Sequence, residues 1–97
     1  MKYIMNPQKT IYVDVDGTMH KNKVLNTKLI AKLESFKSQG ADLILWSARG
    51  ENYAKSFAEK TGVQYLFKHV IGKPTHIFDD MGCGWSKYVK VNGGKCK

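Results

Sequence analysis

The feature that most constrains this chain is the alternation of apolar strand patterns with amphipathic helix patterns. Residues 10–15, TIYVDV, are β-branched and aromatic, which is typical of a buried strand, and residues 42–46 form a second apolar run. Between them, residues 26–39 carry apolar side chains at helical spacing and end before Gly40, and residues 51–60 show a second helix pattern. Strands that alternate with helices of ten or more residues predict right-handed βαβ units and a mainly parallel sheet.

Weaker strand patterns follow the second helix. VQYLFKHVI, residues 63–71, contains a third strand whose register the pattern does not fix, and THIFDD, residues 75–80, predicts a short fourth strand. Residues 88–91 carry a faint strand pattern, and residues 92–97 are expected to form a flexible tail. We therefore expect a small α/β fold with its core over about residues 10–91 and a sheet of four to five strands.

Length and composition limit the number of domains and the cellular setting. Ninety-seven residues with 42% hydrophobic content suffice for one core, so residues 1–97 are expected to form a single domain. The start of the sequence lacks a signal-peptide pattern, and no run approaches the roughly 18 apolar residues of a transmembrane helix. We expect a cytoplasmic protein without a membrane partner, as a monomer or small homo-oligomer. Cys83 and Cys96 lack zinc-ligand and CxxC spacing, which favours free thiols, with a disulfide between them as the alternative.

Two carboxylates, Asp14 and Asp16, stand at the end of the first apolar run, two residues apart, so that both would point to one face of a strand. Such a like-charge pair is costly unless a cation or a proton compensates it. Ligands of parallel sheets bind at the carboxyl ends of the strands. Ser47 ends the second strand pattern, and Asp79 and Asp80 end the fourth. The four acids together predict an oxygen-rich cluster that favours Mg2+ over zinc.

The residues expected at this edge also suit a phosphate group. Lys73 and the Ser47 hydroxyl can neutralise and orient phosphate oxygens, and Gly17 lets backbone N–H groups approach them. Phosphoryl transfer requires mainly positioning and charge neutralisation, and a carboxylate held in line can attack phosphorus. The pattern predicts that Asp14 attacks, while Asp16 protonates the leaving oxygen and then activates the water that cleaves the aspartyl-phosphate.

The order of four motifs resembles the haloacid dehalogenase (HAD) superfamily of aspartate-nucleophile phosphatases. The motifs are DVDGT at residues 14–18, LWSAR at 45–49, GKP at 72–74 and IFDD at 77–80. Their order is that of the family, and the short distance between the lysine and the double aspartate resembles its small, capless members. The resemblance implies a minimal HAD-like, Rossmann-type three-layer sandwich, hydrolysis of phosphate esters through an aspartyl-phosphate, and Mg2+ as cofactor.

The resemblance also implies a role for each matching residue. The implied catalytic residues are the nucleophile Asp14, the general acid/base Asp16, and the phosphate-binding Ser47 and Lys73. The implied metal ligands are Asp14, Asp16 through its backbone carbonyl, Asp79 and Asp80. The implied substrate-binding residues are Gly17, Thr18, Ser47, Arg49 and Lys73.

The distribution of charge in the sequence indicates which kind of substrate or binding partner the protein can have. The net charge is +8, and 15 of the 16 basic residues are lysine. A negative pocket in a positive surface suits a site that acts on a polyanion, whereas a lysine-rich solvated surface is the other interpretation. We expect a small phosphorylated metabolite or nucleotide as substrate. The alternatives are a phosphorylated nucleic-acid end, or a non-catalytic HAD-like module that binds nucleic acid or protein. Residues 19–25 are expected to form a flap over the site or only a turn.

Overall fold

The alternation of strands and helices is present in the computed structural model, which describes residues 9–81 and residue 91. The elements are, in chain order, β1 (Thr10–Asp14), β2 (His20–Lys21), β3 (Val24–Leu25), α1 (Thr27–Ser38), β4 (Asp42–Ser47), α2 (Glu51–Thr61), a 3-10 helix (Gln64–Leu66) and β5 (His69–Gly72). The described residues form a small α/β fold, as the sequence predicts.

The main sheet consists of three parallel strands in the order β1-β4-β5. β1 pairs with β4 from Thr10 opposite Asp42 to Asp14 opposite Trp46. β4 pairs in turn with β5, and the last pair places Ser47 opposite Gly72. Because all three strands run in the same direction, their carboxyl ends lie at one edge of the sheet. The prediction of a parallel sheet is therefore confirmed.

Both helices begin and end at residues suited to those positions. Asn26 caps α1, because its side-chain oxygen accepts a hydrogen bond from the Leu29 N–H at 3.1 Å. α2 begins after Gly50, whose φ of 106° and ψ of 167° belong to a region populated almost only by glycine. It ends at Gly62, which has the left-handed conformation of a common C-cap. The helix predictions over residues 26–39 and 51–60 agree with α1 and α2 to within a residue at each end.

The core lies on one face of the sheet. Alternate strand residues, among them Val13, Leu43 and Leu45, are buried against both helices, which contribute Leu33 and Phe57 to the same cluster. Both helices cover the same face because the two crossovers step across the sheet in the same direction, from β1 to β4 to β5. The described residues thus form two layers, one of helices and one of strands.

The other face of the sheet carries the aromatic pair of Tyr12 and Trp46, whose ring centroids lie 4.5 Å apart. Tyr12 is 50% exposed, and none of the described helices packs on this side. Among the described helices, neither reaches the length and apolar content that crossing a bilayer requires.

Two strand predictions differ from the structure. Residues 75–80 do not form the predicted fourth strand and are irregular, with Ile77 72% and Phe78 97% exposed. Such a short apolar run becomes a strand only when a neighbouring strand and a packing surface accept it, and here it has neither among the described residues. Within residues 63–71, only the end joins the sheet, because Gln64–Leu66 form a 3-10 helix that buries Leu66. The main sheet accordingly has three strands in the described part of the chain, and the larger sheet of four to five strands stays a prediction.

Several predictions fall outside the described residues. These concern most of the faint strand pattern over residues 88–91, the tail over residues 92–97, and the state of Cys83 and Cys96.

Candidate active site

Three of the predicted catalytic residues lie at the carboxyl edge of the main sheet. Asp14 is the last residue of β1 and Ser47 is the last residue of β4. Lys73 follows β5 directly, and its backbone N–H donates to the Ser47 carbonyl at 2.8 Å. The sheet therefore brings together three residues that are far apart in the sequence, each from a different strand.

The loop after β1 turns sharply at Gly17. Its φ of 81° lies in the left-handed region, and its N–H donates to the His20 carbonyl at 2.9 Å. β2 and β3 then form a two-stranded antiparallel hairpin, hereafter the hairpin. Asn22 and Lys23 connect its strands, and both have positive φ (53° and 66°), as two-residue turns of type I′ require. Residues 19–25 thus contain a hairpin, and its role as a flap stays a prediction.

Asp16 is the centre of a polar cluster beside this edge. Its carboxylate accepts a hydrogen bond from the Tyr53 hydroxyl at 2.7 Å and lies 2.9 Å from Nε2 of His20. Its other oxygen lies 3.6 Å from Nη1 of Arg49, whose guanidinium stands 4.1 Å above the Tyr53 ring. We call these four residues the Asp16 cluster. It joins the loop after β1, the hairpin, the loop after β4 and the first turns of α2.

The hydrogen bonds of the cluster favour an ionised Asp16. The pKa of its carboxyl lies below the usual range, chiefly because the Tyr53 hydroxyl donates to the charged form. His20 and Arg49 act in the same direction, while desolvation opposes them. The same contact raises the pKa of the Tyr53 hydroxyl, since loss of its proton would place two negative oxygens together. Asp16 is therefore held in its ionised form.

The other predicted residues at the edge differ in whether their side chains are already held by hydrogen bonds or other contacts. Asp14 is half-buried, and its carboxylate has no hydrogen bond or ion pair with any residue in the described part of the chain. Ser47 is buried, and its Oγ accepts the Arg49 N–H at 3.0 Å, which leaves its own O–H free to donate. The Lys73 ammonium lies 5.8 Å from the centroid of the Trp46 ring. A carboxylate, a hydroxyl donor and a cation are thus present near one edge.

The structure does not bring the four predicted metal ligands together. In residues 9–81, no group of three or more acidic, histidine or cysteine side chains is arranged to hold a metal ion. Asp79 and Asp80 are exposed, and Asp79 accepts a hydrogen bond from the Met81 N–H at 2.8 Å. The segment that should carry both acids to the edge is the one that does not form a strand. The residues as placed do not fit a Mg2+ ion.

Sequence reasoning missed Tyr53. Its position in the helix pattern assigns it to the buried face of α2, where it does pack against the core, and its hydroxyl in addition reaches a carboxylate 37 residues earlier in the chain. No local pattern signals such a contact, because it depends on how α2 crosses the sheet. The His20 ring contacts both the Asp16 carboxylate and the Phe57 ring, whose centroid lies 4.9 Å from its own.

Comparison of the chain with protein-family models, with curated proteins and with solved structures finds no match. The roles of Asp14, Ser47 and Lys73 therefore depend on the order of the motifs and on the convergence of three strand ends.

The Tyr53→Phe variant is expected to raise the pKa of Asp16 toward its ordinary value of 3.8, because it removes the main hydrogen bond to the carboxylate. Loss of this bond should lower the free energy of unfolding at pH 7 by about 0.5–1.5 kcal/mol. An Asp16 pKa below its unfolded value stabilises the fold above that value, and the contribution disappears as the pH falls through the folded pKa. The acid-side loss of stability should therefore be smaller in the variant.

The measurement is an NMR titration of the Asp16 side-chain carbonyl, together with urea unfolding between pH 2.5 and 7. Tyr12→Phe is the matched control, because it removes a half-exposed hydroxyl on the opposite face of the sheet. An identical Asp16 titration in Tyr53→Phe and the wild type would contradict the assignment of this hydrogen bond.

Proposed function

We propose that the protein is a Mg2+-dependent phosphomonoester hydrolase of the HAD type, acting through an aspartyl-phosphate on a small phosphorylated metabolite or nucleotide. The observation that supports this proposal most is the position of Asp14, Ser47 and Lys73 at the carboxyl ends of three adjacent parallel strands. This edge is where ligands of parallel sheets bind. The three side chains are also the types that a phosphoryl group requires at such a site.

In the first step, a carboxylate oxygen of Asp14 attacks phosphorus and the bond from phosphorus to the leaving oxygen breaks. The Ser47 O–H and the Lys73 ammonium bind the non-bridging oxygens and neutralise their charge. The leaving oxygen takes a proton from Asp16. The hydrogen bonds of the Asp16 cluster favour the ionised carboxylate. Asp16 therefore first takes this proton from the substrate, which enters as the monoanion of the phosphate ester.

In the second step, water attacks the aspartyl-phosphate and Asp16 accepts the proton of that water. The bond between phosphorus and the Asp14 oxygen breaks, which releases phosphate and restores the Asp14 carboxylate, and Asp16 then returns its proton to the solvent. The contacts of Asp16 with Tyr53, His20 and Arg49 hold the carboxylate in one place and ionised, ready to orient the attacking water.

The proposal includes two finer features. One is a Mg2+ ion held by Asp14, the backbone carbonyl of Asp16, Asp79 and Asp80, which would supply positive charge to the phosphate. The other is a HAD-like three-layer sandwich with four to five strands, in which residues 75–80 add along β1. Within the described residues, β1 pairs only with β4, so its other edge can accept a strand. Both features require residues 75–80 to leave their exposed position.

Hydrolysis of p-nitrophenyl phosphate tests the proposal. We expect release of p-nitrophenol in the presence of Mg2+, loss of this activity in EDTA, and recovery when excess Mg2+ is added back. A small substrate is suitable because it needs no contact beyond the carboxyl edge. Activity that persists in EDTA contradicts the metal requirement, and inactivity toward a broad panel of phosphate esters contradicts the enzymatic proposal.

A non-catalytic module of the same fold, which binds nucleic acid or protein, is the second candidate. The observation that favours it is that no three acidic, histidine or cysteine side chains of the described residues are grouped to hold a metal ion, while Asp79 and Asp80 are exposed. Such a module would be inactive throughout the panel and would not respond to Mg2+.

A further inference from the structure

Four lysines occupy the hairpin and the first turns of α1. They are Lys21, Lys23, Lys28 and Lys32, hereafter the lysine surface. All four are exposed, and none forms an ion pair with any residue of the described chain. The sequence has no acidic residue between Asp16 and Glu34. The field around this surface is therefore positive and is not neutralised by neighbours in sequence.

Asn26, which follows β3 and caps α1, ties the start of the helix to the loop that precedes the hairpin. Its N–H donates to the Met19 carbonyl at 2.8 Å and its side-chain amide donates to the Thr18 carbonyl at 3.2 Å. Lys28 and Lys32 stand one helical turn apart, about 6 Å along the axis, on the same side of α1. The four cations thus belong to one connected unit rather than to separate flexible segments.

The start of α1 has a charge that its own helix does not favour. Helix N-termini carry partial positive charge and prefer acidic side chains, yet the first turn of α1 contains none and includes Lys28. The positive end of the helix and the lysine repel each other unless an anion lies beside them. A bound anion would relieve this repulsion and gain the attraction of both.

The lysine surface begins next to the proposed active site. His20, the first residue of the hairpin, lies 2.9 Å from the Asp16 carboxylate, and Lys21 is the next residue. A ligand on the lysine surface would therefore have one end near the carboxyl edge of the sheet. A metabolite with one or two phosphates would reach only the nearest lysine, whereas cations spread over the hairpin and two turns of α1 suit a longer chain of negative charges.

We propose that the lysine surface binds the phosphodiester backbone of a single-stranded nucleic acid whose terminal phosphate enters the site at Asp14. This inference rests on the reaction of the proposed function, and it takes the alternative substrate class, phosphorylated nucleic-acid ends, in place of a small metabolite. A nucleic-acid strand combines repeating negative charges with a single terminal phosphomonoester, which is the group that the site is proposed to hydrolyse. A single strand suits the width of the surface, since one helix with its side chains is only about 10 Å across.

Binding tests the surface independently of catalysis. The probes are 15-nucleotide DNA and RNA strands, phosphorylated at the 5′ or the 3′ end and labelled with fluorescein at the other, measured by anisotropy between 50 and 200 mM salt. For four phosphate contacts we expect a slope of log affinity against log salt of about −3. The Lys21→Gln/Lys23→Gln variant should bind about tenfold more weakly and show a shallower slope. Lys37→Gln/Lys60→Gln is the matched control, since it removes the same charge from two exposed, unpaired lysines elsewhere among the described residues.

Three binding results would overturn the inference. An equal loss in both double variants would mean that the total charge alone attracts the strand. Failure to bind at 50 mM salt would exclude the surface as a nucleic-acid site. Polyglutamate of similar length that binds as tightly as the oligonucleotides would indicate an acidic protein partner instead.

Hydrolysis distinguishes this inference from the proposed function. For the hairpin variant, kcat/KM should fall about tenfold on the preferred phosphorylated oligonucleotide and stay unchanged on p-nitrophenyl phosphate. A wild-type protein that hydrolyses only p-nitrophenyl phosphate overturns the substrate class alone. A wild-type protein that hydrolyses neither overturns the proposed function and the substrate class together.

Discussion

Asp14→Asn is expected to lower the rate of p-nitrophenyl phosphate hydrolysis by about 10³-fold or more, because an amide cannot form the acyl-phosphate intermediate. The fold should survive this change. The Asp14 carboxylate has no hydrogen bond or ion pair within the described residues, so the amide replaces it without the loss of a side-chain contact. The measurements are initial rates at saturating substrate and the urea midpoint, which should stay within the error of the wild type.

Asp42→Asn is the matched control for this variant. Asp42 stands at the opposite, amino-terminal end of β4, where its carboxylate lies 3.4 Å from the Lys68 ammonium. Both groups are partly exposed, so the ion pair contributes little to stability. The control should keep wild-type rates. If Asp14→Asn retains more than a tenth of the activity, Asp14 is not the nucleophile.

Leu45→Ala is expected to lower the free energy of unfolding by about 3 kcal/mol, within the usual range for a buried leucine. Leu45 is completely buried in the central strand β4, paired with Val13 on one side and Val70 on the other. Truncation of its side chain would leave a cavity between β4 and the helices. Urea unfolding followed by circular dichroism gives the change directly.

Val24→Ala provides the comparison on the surface. Val24 is 69% exposed on the hairpin, so the same kind of truncation should change stability by less than about 0.5 kcal/mol. Equal effects of the two substitutions would mean that the core does not lie between β4 and the two helices.

The parallel sheet was predictable because its signals are local. The apolar runs that became β1 and β4 alternate with helix patterns whose ends are marked by Asn26, Gly40 and Gly62. Three catalytic candidates could be placed at one edge for the same reason, since the ends of parallel strands meet wherever the exact register lies. Their chemical roles stay predictions.

The remaining features depend on contacts between distant segments. Whether residues 75–80 pair as a strand depends on a partner and not on their own apolar residues, and in the described structure Phe78 is almost fully exposed. The Asp16 cluster likewise arises from the crossing of α2 over the sheet, which brings Tyr53 to Asp16. Neither the period nor the composition of a segment contains this information.

The central position of β4 also affects the order in which the fold can assemble. Partners in the β1–β4 pairing, such as Thr10 and Asp42, are 32 residues apart, and those in the β4–β5 pairing, such as Ile44 and His69, are 25 apart. The entropies of closing the two loops differ by only about 0.2 kcal/mol, so chain closure alone gives neither half precedence. Synthesis from the N-terminus gives precedence to the β1–β4 half, because β1, α1 and β4 leave the ribosome before Lys73. The nascent chain can thus present Asp14 and Asp16 together before Lys73, the predicted cation for the phosphate, has reached the edge of the sheet.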